Sequence, residues 1–287
     1  MALKDLLVHV DQSERAVVRL RLAADLARRH ASRLTAIYVK ELNPAQLHAQ
    51  SIAELGLGSA EAVAAANLRI RRSVLQSAGE IRALVEAIGR EYCIEVEWRC
   101  LDGAASTLVP QHARFADLCI LSQDVPIAAS AAGYTFSEQL LFVTGRPVMF
   151  VPARGSFATV GRHVLVAWNS SRASARAVND ALPIIECADK VTVLAVNAAD
   201  FAQRYAALPP QKMLEHLQHH GVAPDGIWLD NIPTGSIAAT VQAKAHEVGA
   251  DLIVAGAFGH PKLWEKIIGG VTCDLLARMT LPILMSY

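Results

Sequence analysis

The sequence predicts an α/β protein built as two tandem, doubly wound parallel-sheet domains of five strands each. Three observations predict it. Four segments of the first half recur in the same order in the second. Lys4–Ser13 matches Arg162–Ser171, Thr35–Val39 matches Thr192–Val196, Ala116–Leu121 matches Ala250–Ala255, and Arg146–Val151 matches Leu281–Ser286. Within each half, short apolar runs alternate with stretches of helical periodicity, the pattern of βαβ units around a parallel sheet. With 287 residues, 53% of them hydrophobic, the chain can also fill two cores.

Leu6–Val10 opens the first half as a nearly continuous apolar run, expected of a strand covered on both faces. Ser13 is placed to cap the next helix, whose Val17, Leu20, Ala24 and Ala27 recur at helical spacing. Leu34–Val39 is the second strand. A long helix over about Ala60–Arg90 carries Ile70, Val74, Ile81, Leu84 and Ile88 along one side. Ile94, Val96, Trp98 and Cys100 alternate with Glu95, Glu97 and Arg99, so the third strand has one wetter face. A short helix, the strand Leu118–Leu121, a loop with a helix, and Val148–Val151 complete the unit.

The second half repeats this order, with Ile227–Asp230 as its third strand. Ala153–Thr159, a short connection containing Gly and Ser, joins the two, giving domains at 1–155 and 160–287. Ligands of open parallel sheets bind beyond the carboxyl ends of strands, where the strand order reverses. In the second half, Asn169, Val196 and Gly256 end strands one, two and four and are expected to meet around one crevice.

One motif occurs in only one half. Gly256-Ala-Phe-Gly259, nine residues, and then Gly269-Gly270-Val271-Thr272 form a split glycine loop between the strand Asp251–Ala255 and a helix. Glycine admits positive φ and close approach of a ligand to the main chain. Free N–H groups at a helix start, aided by the helix dipole, favour phosphate. Lys262 supplies a mobile cation nearby, and His260 is a candidate phosphate donor. In the first half Ser122, Val125, Tyr134 and Thr135 replace Gly256, Gly259, Gly269 and Gly270, so bulk stands where glycine's freedom is needed. That half is read as having lost the site, with Ala128–Ala132 a packed loop rather than a new pocket.

With these residues the chain resembles the universal stress protein family in its tandem two-domain form. The resemblance spans nearly the whole chain, and its most specific part is Gly256-x2-Gly259-x9-Gly269. It implies an adenine-nucleotide alpha-hydrolase-like fold and an ATP site, for ATP or for AMP or ADP, with Mg accompanying ATP. Ala167, Trp168 and Asn169 would end strand one beside ribose and adenine, and the Val196 backbone would contact adenine. Gly256, Gly259, His260, Lys262, Gly269, Gly270, Val271 and Thr272 would surround the phosphates. Two departures stand out. Asn169 replaces the usual Asp, which Asp11 keeps in the first half, and Gly270 replaces a Ser or Thr donor, with Thr272 in reserve. The family's pairing through last strands implies an internal pseudo-dimer through Val148–Val151 and Ile283–Met285, leaving a homodimer of whole chains open.

Composition excludes several other classes. Lys plus Arg and Asp plus Glu both number 27, so no global field attracts nucleic acid or an anionic membrane. No apolar run is long enough to span a bilayer. The five cysteines form no Cys-x-x-Cys pair, and the opening Met1–Asp5 lacks a signal pattern, so the cytoplasm is the expected compartment. His216 and His220 have metal spacing but no third ligand, and read as a polar helix face. His9, Asp11 and Ser13 lack a positioned nucleophile and oxyanion hole for a hydrolytic triad. Cys273 at a helix start is a minor redox candidate. The leading reading is a stress-response regulatory protein that binds adenine nucleotide in its second half and acts on an unknown protein partner. The alternatives are a slow ATPase and an interaction module with vestigial sites.

Overall fold

The computed structural model describes residues 2–40, 60–123, 136–199, 208–257 and 270–287, with the backbone alone at 60–74 and 136–139. The first half runs β1 (Asp5–Val10), α1 (Arg15–His30), β2 (Arg33–Lys40), α2 (Ala60–Tyr92), β3 (Val96–Asp102), α3 (Ala105–Ala113), β4 (Leu118–Ser122), α4 (Phe136–Thr144) and β5 (Val148–Val151). The second half runs β6 (His163–Trp168), α5 (Arg172–Ile185), β7 (Lys190–Val196), α6 (Gln211–His219) and β8 (Asp225–Leu229). A 3-10 turn at Thr234–Ser236, α7 (Ile237–Val248), β9 (Leu252–Gly256), α8 (Gly270–Ala277) and β10 (Ile283–Ser286) complete it.

All ten strands form one sheet in the order β3-β2-β1-β4-β5-β10-β9-β6-β7-β8. Each half is parallel throughout and has the same internal order, with β1 or β6 flanked by the second strand on one side and the fourth on the other. The halves join through an antiparallel ladder that pairs Ile283 with Phe150, Leu284 with Met149 and Met285 with Val148. These six side chains are fully buried. Short last strands carry no polar outer face, so they pair with each other instead of presenting an open edge.

Two apolar cores cover the two faces of the sheet. One packs α1, α2, α5 and α6 through residues such as Leu20, Val85, Ala177 and Leu217. The other packs α3, α4, α7 and α8 through Val109, Leu141, Val241 and Leu275. Alternation within strands assigns the faces: Leu252 and Val254 enter the first core, Ile253 and Ala255 the second. On the edge strand β8, Gly226 leaves the space over which the Trp228 indole lies; a Cβ there would come within 2.6 Å of the ring.

Helix α1 ties the connection between the halves. Arg15 donates to Pro152 O and Gly155 O, each at 2.7 Å, and Arg29 donates to Val160 O. Asp25, buried at 2% exposure, orients Arg29 through a 2.9 Å ion pair.

One local expectation is corrected. Ser13 does not cap α1: its hydroxyl and its N–H both go to Asp11 Oδ1, and the helix start has no side-chain cap. In the second half Asn169 Oδ1 takes only the Ser171 N–H, at 3.1 Å, and the Ser171 hydroxyl oxygen then accepts from Ser174 N at 3.1 Å. A carboxylate attracts the hydroxyl proton more strongly than a neutral amide does, so Asp11 takes the cap that Asn169 leaves in place.

Because Leu284 sits in the joining ladder with no exposed surface, Leu284→Ala is expected to cost about 2–5 kcal/mol. Chemical denaturation followed by tryptophan fluorescence and by circular dichroism measures that loss.

Candidate functional site

The carboxyl ends of β9, β6 and β7 lie side by side, since Ala167 pairs with Ala255 and Trp168 with Ala195. The topology therefore brings Asn169, Val196 and Gly256 to one edge of the sheet at its order reversal, as expected. Ala167 is half-buried against the α7 side and Trp168 against the α5 side, on opposite faces of β6. Val196 is 7% exposed and pairs with Leu229. Gly270, Val271 and Thr272 form the first turn of α8; Gly270 is exposed and Thr272 buried. Gly259, His260, Lys262 and Gly269 lie outside the described residues, as do Val125, Ala128–Ala132, Tyr134 and Thr135 of the first half.

The two described glycines of the motif differ. A Cβ on Gly256 would lie 2.5 Å from the Ala173 carbonyl carbon and closer still to Ser174 N, so the first turn of α5 rests on it. Helix–strand packing accounts for this glycine. A Cβ on Gly270 would meet no described atom within 4 Å, so among the described residues no close packing accounts for this glycine.

Three left-handed residues mark the same edge. Ser170, Asn197 and Asn231 follow β6, β7 and β8 with φ of 58°, 55° and 61°. Asn197 joins two of these strand ends. Its N–H donates to Leu229 O at 2.6 Å, its Nδ2 donates to Ile232 O at 2.7 Å, and its Oδ1 accepts from Ile232 N at 2.9 Å. Asn tolerates the left-handed region better than most residues. Sequence reasoning stopped one residue short, at Val196; the signal was an Asn directly after an apolar strand.

The corresponding reversal in the first half is filled from within. Arg19, with no exposed surface, reaches from α1 to the ends of β1 and β4. Its Nε donates to His9 O at 2.6 Å, its Nη2 to Asp11 Oδ2 at 2.9 Å, and its Nη1 to Ser122 Oγ. By the repeat alignment its counterpart is Ala177, equally buried and with no polar group. Sequence reading missed this plug. Its signal is three linked differences between the halves: Arg19 against Ala177, Asp11 against Asn169, and Ser122 against Gly256.

Electrostatics follow from the plug. Burial alone would raise the Asp11 carboxyl, but Arg19 and the two Ser13 hydrogen bonds bring it below its usual range. Burial is the largest effect on Arg19 and lowers it, with Asp11 opposing. His9 is pushed down to about 4, first by burial and then by the Arg19 cation, with Asp11 acting against both. Elsewhere, the His216 and His220 rings meet edge to face at 4.9 Å, and His220 Nδ1 lies 3.3 Å from Glu186. Among the described residues no group of three or more His, Cys, Asp or Glu could hold a metal ion. No described helix is long and apolar enough to cross a membrane.

No protein-family model matches the sequence, and no curated protein matches it significantly. Solved structures do match in fold. A universal stress protein from Archaeoglobus fulgidus superposes with a TM-score of 0.69 at 17% identity, covering 98% of this chain and 95% of that one. The fold is that of the tandem universal stress proteins. A putative universal stress protein from Pseudomonas aeruginosa UCBPP-PA14 gives a TM-score of 0.56 at 14% identity, covering 99% of this chain and 93% of that one. A functionally unknown protein from Pseudomonas aeruginosa PAO1 gives 0.57 at 14% identity, with 99% and 92% covered. This universal-stress-protein fold accounts for the shared internal order of the two halves, and matches that span both chains account for their tandem arrangement.

Two outcomes test these assignments. Gly256→Ala is expected to destabilise the chain by about 1–3 kcal/mol with no ligand present, measured by thermal or chemical unfolding. His9 stays neutral in the fold down to pH about 4, whereas an unfolded His takes a proton near pH 6.5. The unfolded chain therefore binds more protons between those values, and the contribution of His9, full above pH 6.5, is lost as pH falls towards 4. Relative to His9→Asn, the wild type should lose on the order of 2 kcal/mol more stability over that window, measured by denaturation at stepped pH.

Proposed function

We propose that the chain is a tandem member of the universal stress protein family, with domains at 1–155 and 160–287. In this reading it binds an adenine nucleotide, ATP or its AMP or ADP relatives, in the second domain. The observation that carries the reading is the asymmetry of the two strand-order reversals. In the first, an arginine takes the carboxylate, the serine and a strand-end carbonyl for itself. In the second, alanine stands in its place, and a Cβ on Gly270 would meet no described atom within 4 Å.

The groups at the second edge suit such a ligand. Asn169 spends its carbonyl oxygen on Ser171 N, and among the described residues nothing bonds its Nδ2, which is left to meet ribose or the base. The half-buried Trp168 on one face of the sheet and the strand end at Val196, whose side chain enters the other core, flank the edge that a purine would meet. Gly270, Val271 and Thr272 open the described part of α8, and the dipole at a helix start favours phosphate. Mg, where ATP brings it, would screen charge between phosphates, with Lys262 and His260 as supporting groups from the loop. The protein would act as a cytoplasmic stress-response regulator, nucleotide occupancy setting the surface offered to a protein partner.

Calorimetric titration of the full chain with ATP, AMP and adenosine tests this. Saturable binding is expected, tighter for ATP than for adenosine, and Gly269→Val should weaken ATP at least about tenfold by obstructing close approach of the phosphates. No saturable heat with any of the three at millimolar concentration removes the reading. The interaction-module alternative then stands, favoured by the use of Gly256 in helix packing.

A further inference from the structure

Antiparallel pairing of β5 with β10 puts the carboxyl edges of the two halves on opposite sides of one sheet. Helix α8 leads from the second half's carboxyl edge back to β10. Its first turn therefore lies at the nucleotide edge, and its last turn reaches the edge where the first half's strands end. Its eight described residues span about 12 Å as one hydrogen-bonded helix, so the placement of one end bears on that of the other.

The last turn of α8 is held by the first half. Gln123, the residue after β4, donates from Nε2 to Leu276 O at 2.7 Å and Ala277 O at 3.0 Å. Its Oε1 accepts from Ala153 N at 2.9 Å. The opposite amide orientation would set an oxygen against two carbonyls and an NH2 against an N–H, so this arrangement is the one that satisfies every partner. These carbonyls are among the four that a helix end leaves without internal partners. Gln242 of α7 closes the neighbouring segment, donating to Arg278 O at 2.9 Å and accepting from Thr280 N at 3.0 Å.

The cap is one-sided. By the repeat alignment Gln123 corresponds to Ala257, and both backbones make the same bond, Gln123 N to Val151 O at 2.8 Å and Ala257 N to Ser286 O at 2.9 Å. At this position only the first half adds a side chain that hydrogen-bonds to the other half's helix end; the second half meets α4 by an edge-to-face contact of Tyr287 with Phe142 at 5.1 Å. Gln123 also directly follows Ser122, which accepts from the Arg19 guanidinium that holds Asp11 and His9 O. A chain of bonded groups thus runs from the filled reversal of the first half to α8 of the second.

We propose that Gln123 is a positioning residue that sets α8 from the first half, so that the first half governs nucleotide affinity in the second. The affinity part rests on the proposed function; the positioning part does not. The filled reversal then has a role as the rigid support of the Gln123 clamp.

Hydrogen–deuterium exchange on the full chain, without nucleotide, tests the positioning. Gln123→Ala and Gln123→Glu both remove the donor, and the second keeps the volume. Either is expected to speed exchange of the Asp274–Ala277 amides about tenfold relative to those of α7, the loss of one to two net hydrogen bonds. Arg82→Ala, far from α8 on an exposed part of α2, serves as the control and should change neither. Unaltered α8 exchange in both Gln123 variants overturns the inference, whether or not ATP binds. Calorimetry with ATP then separates the two claims. A wild-type chain that binds none of ATP, AMP and adenosine removes the proposed function and leaves the positioning to be judged by exchange. A wild-type chain that binds ATP with the same Kd as both variants overturns control of affinity, whereas a Kd raised about tenfold supports it.

Discussion

Ile283, Leu284 and Met285 meet Met149 and its neighbours in an antiparallel ladder, and through it two five-stranded units become one sheet. Four-residue strands at the ends of two units would each leave unpaired N–H and C=O groups among buried, mostly apolar side chains. Pairing them satisfies those groups and buries both faces at once. The same ladder reverses the direction of the second unit. It thereby puts the two strand-order reversals on opposite edges and lets α8 link one edge to the other.

The two repeated halves present equivalent reversals that differ in chemistry. In the first, a buried guanidinium is kept charged by a carboxylate, a hydroxyl and a carbonyl, with every bond internal to the protein. Such a group is tolerable when buried only because its donors are met. In the second, the helix carries alanine at that position, and Gly256 lets α5 settle directly on the strand end. At the first edge Asp11, Ser122 and the His9 carbonyl are turned inward to Arg19. At the second, among the described residues, nothing bonds the Asn169 Nδ2 and no atom crowds Gly270.

That divergence reaches the local hydrogen bonds. Asp11 draws in the Ser13 hydroxyl and costs α1 its cap, while Asn169 leaves Ser171 free to cap α5. Carboxylate against amide at one position goes with a lost cap at one helix start and a kept cap at the other. The left-handed Ser170, Asn197 and Asn231 add a further distinction, since all three lie at the second edge. Backbone strain of this kind collects where a surface has a task beyond stability.

Repetition, strand periodicity and the glycine spacing were legible in the chain because each depends on residues close in sequence. The alternation of Leu252, Ile253, Val254 and Ala255 between two cores follows from the two-residue period of a strand alone. The edge on which Asn169, Val196 and Gly256 gather follows from strand order, itself implied by the repeat. That α5 rests directly on Gly256 was not legible in sequence, because Ala173 and Ser174 come against it only when the sheet is formed. Arg19, Asn197 and Gln123 were hidden for a common reason. Their partners stand 103 residues away for Arg19 and Ser122, 35 for Asn197 and Ile232, and 153 for Gln123 and Leu276. Local pattern determines which segments become strands and helices, and on which face each side chain lies. Which distant polar groups finish opposite one another is set by how the strands stack into a sheet, and that is a property of the folded chain.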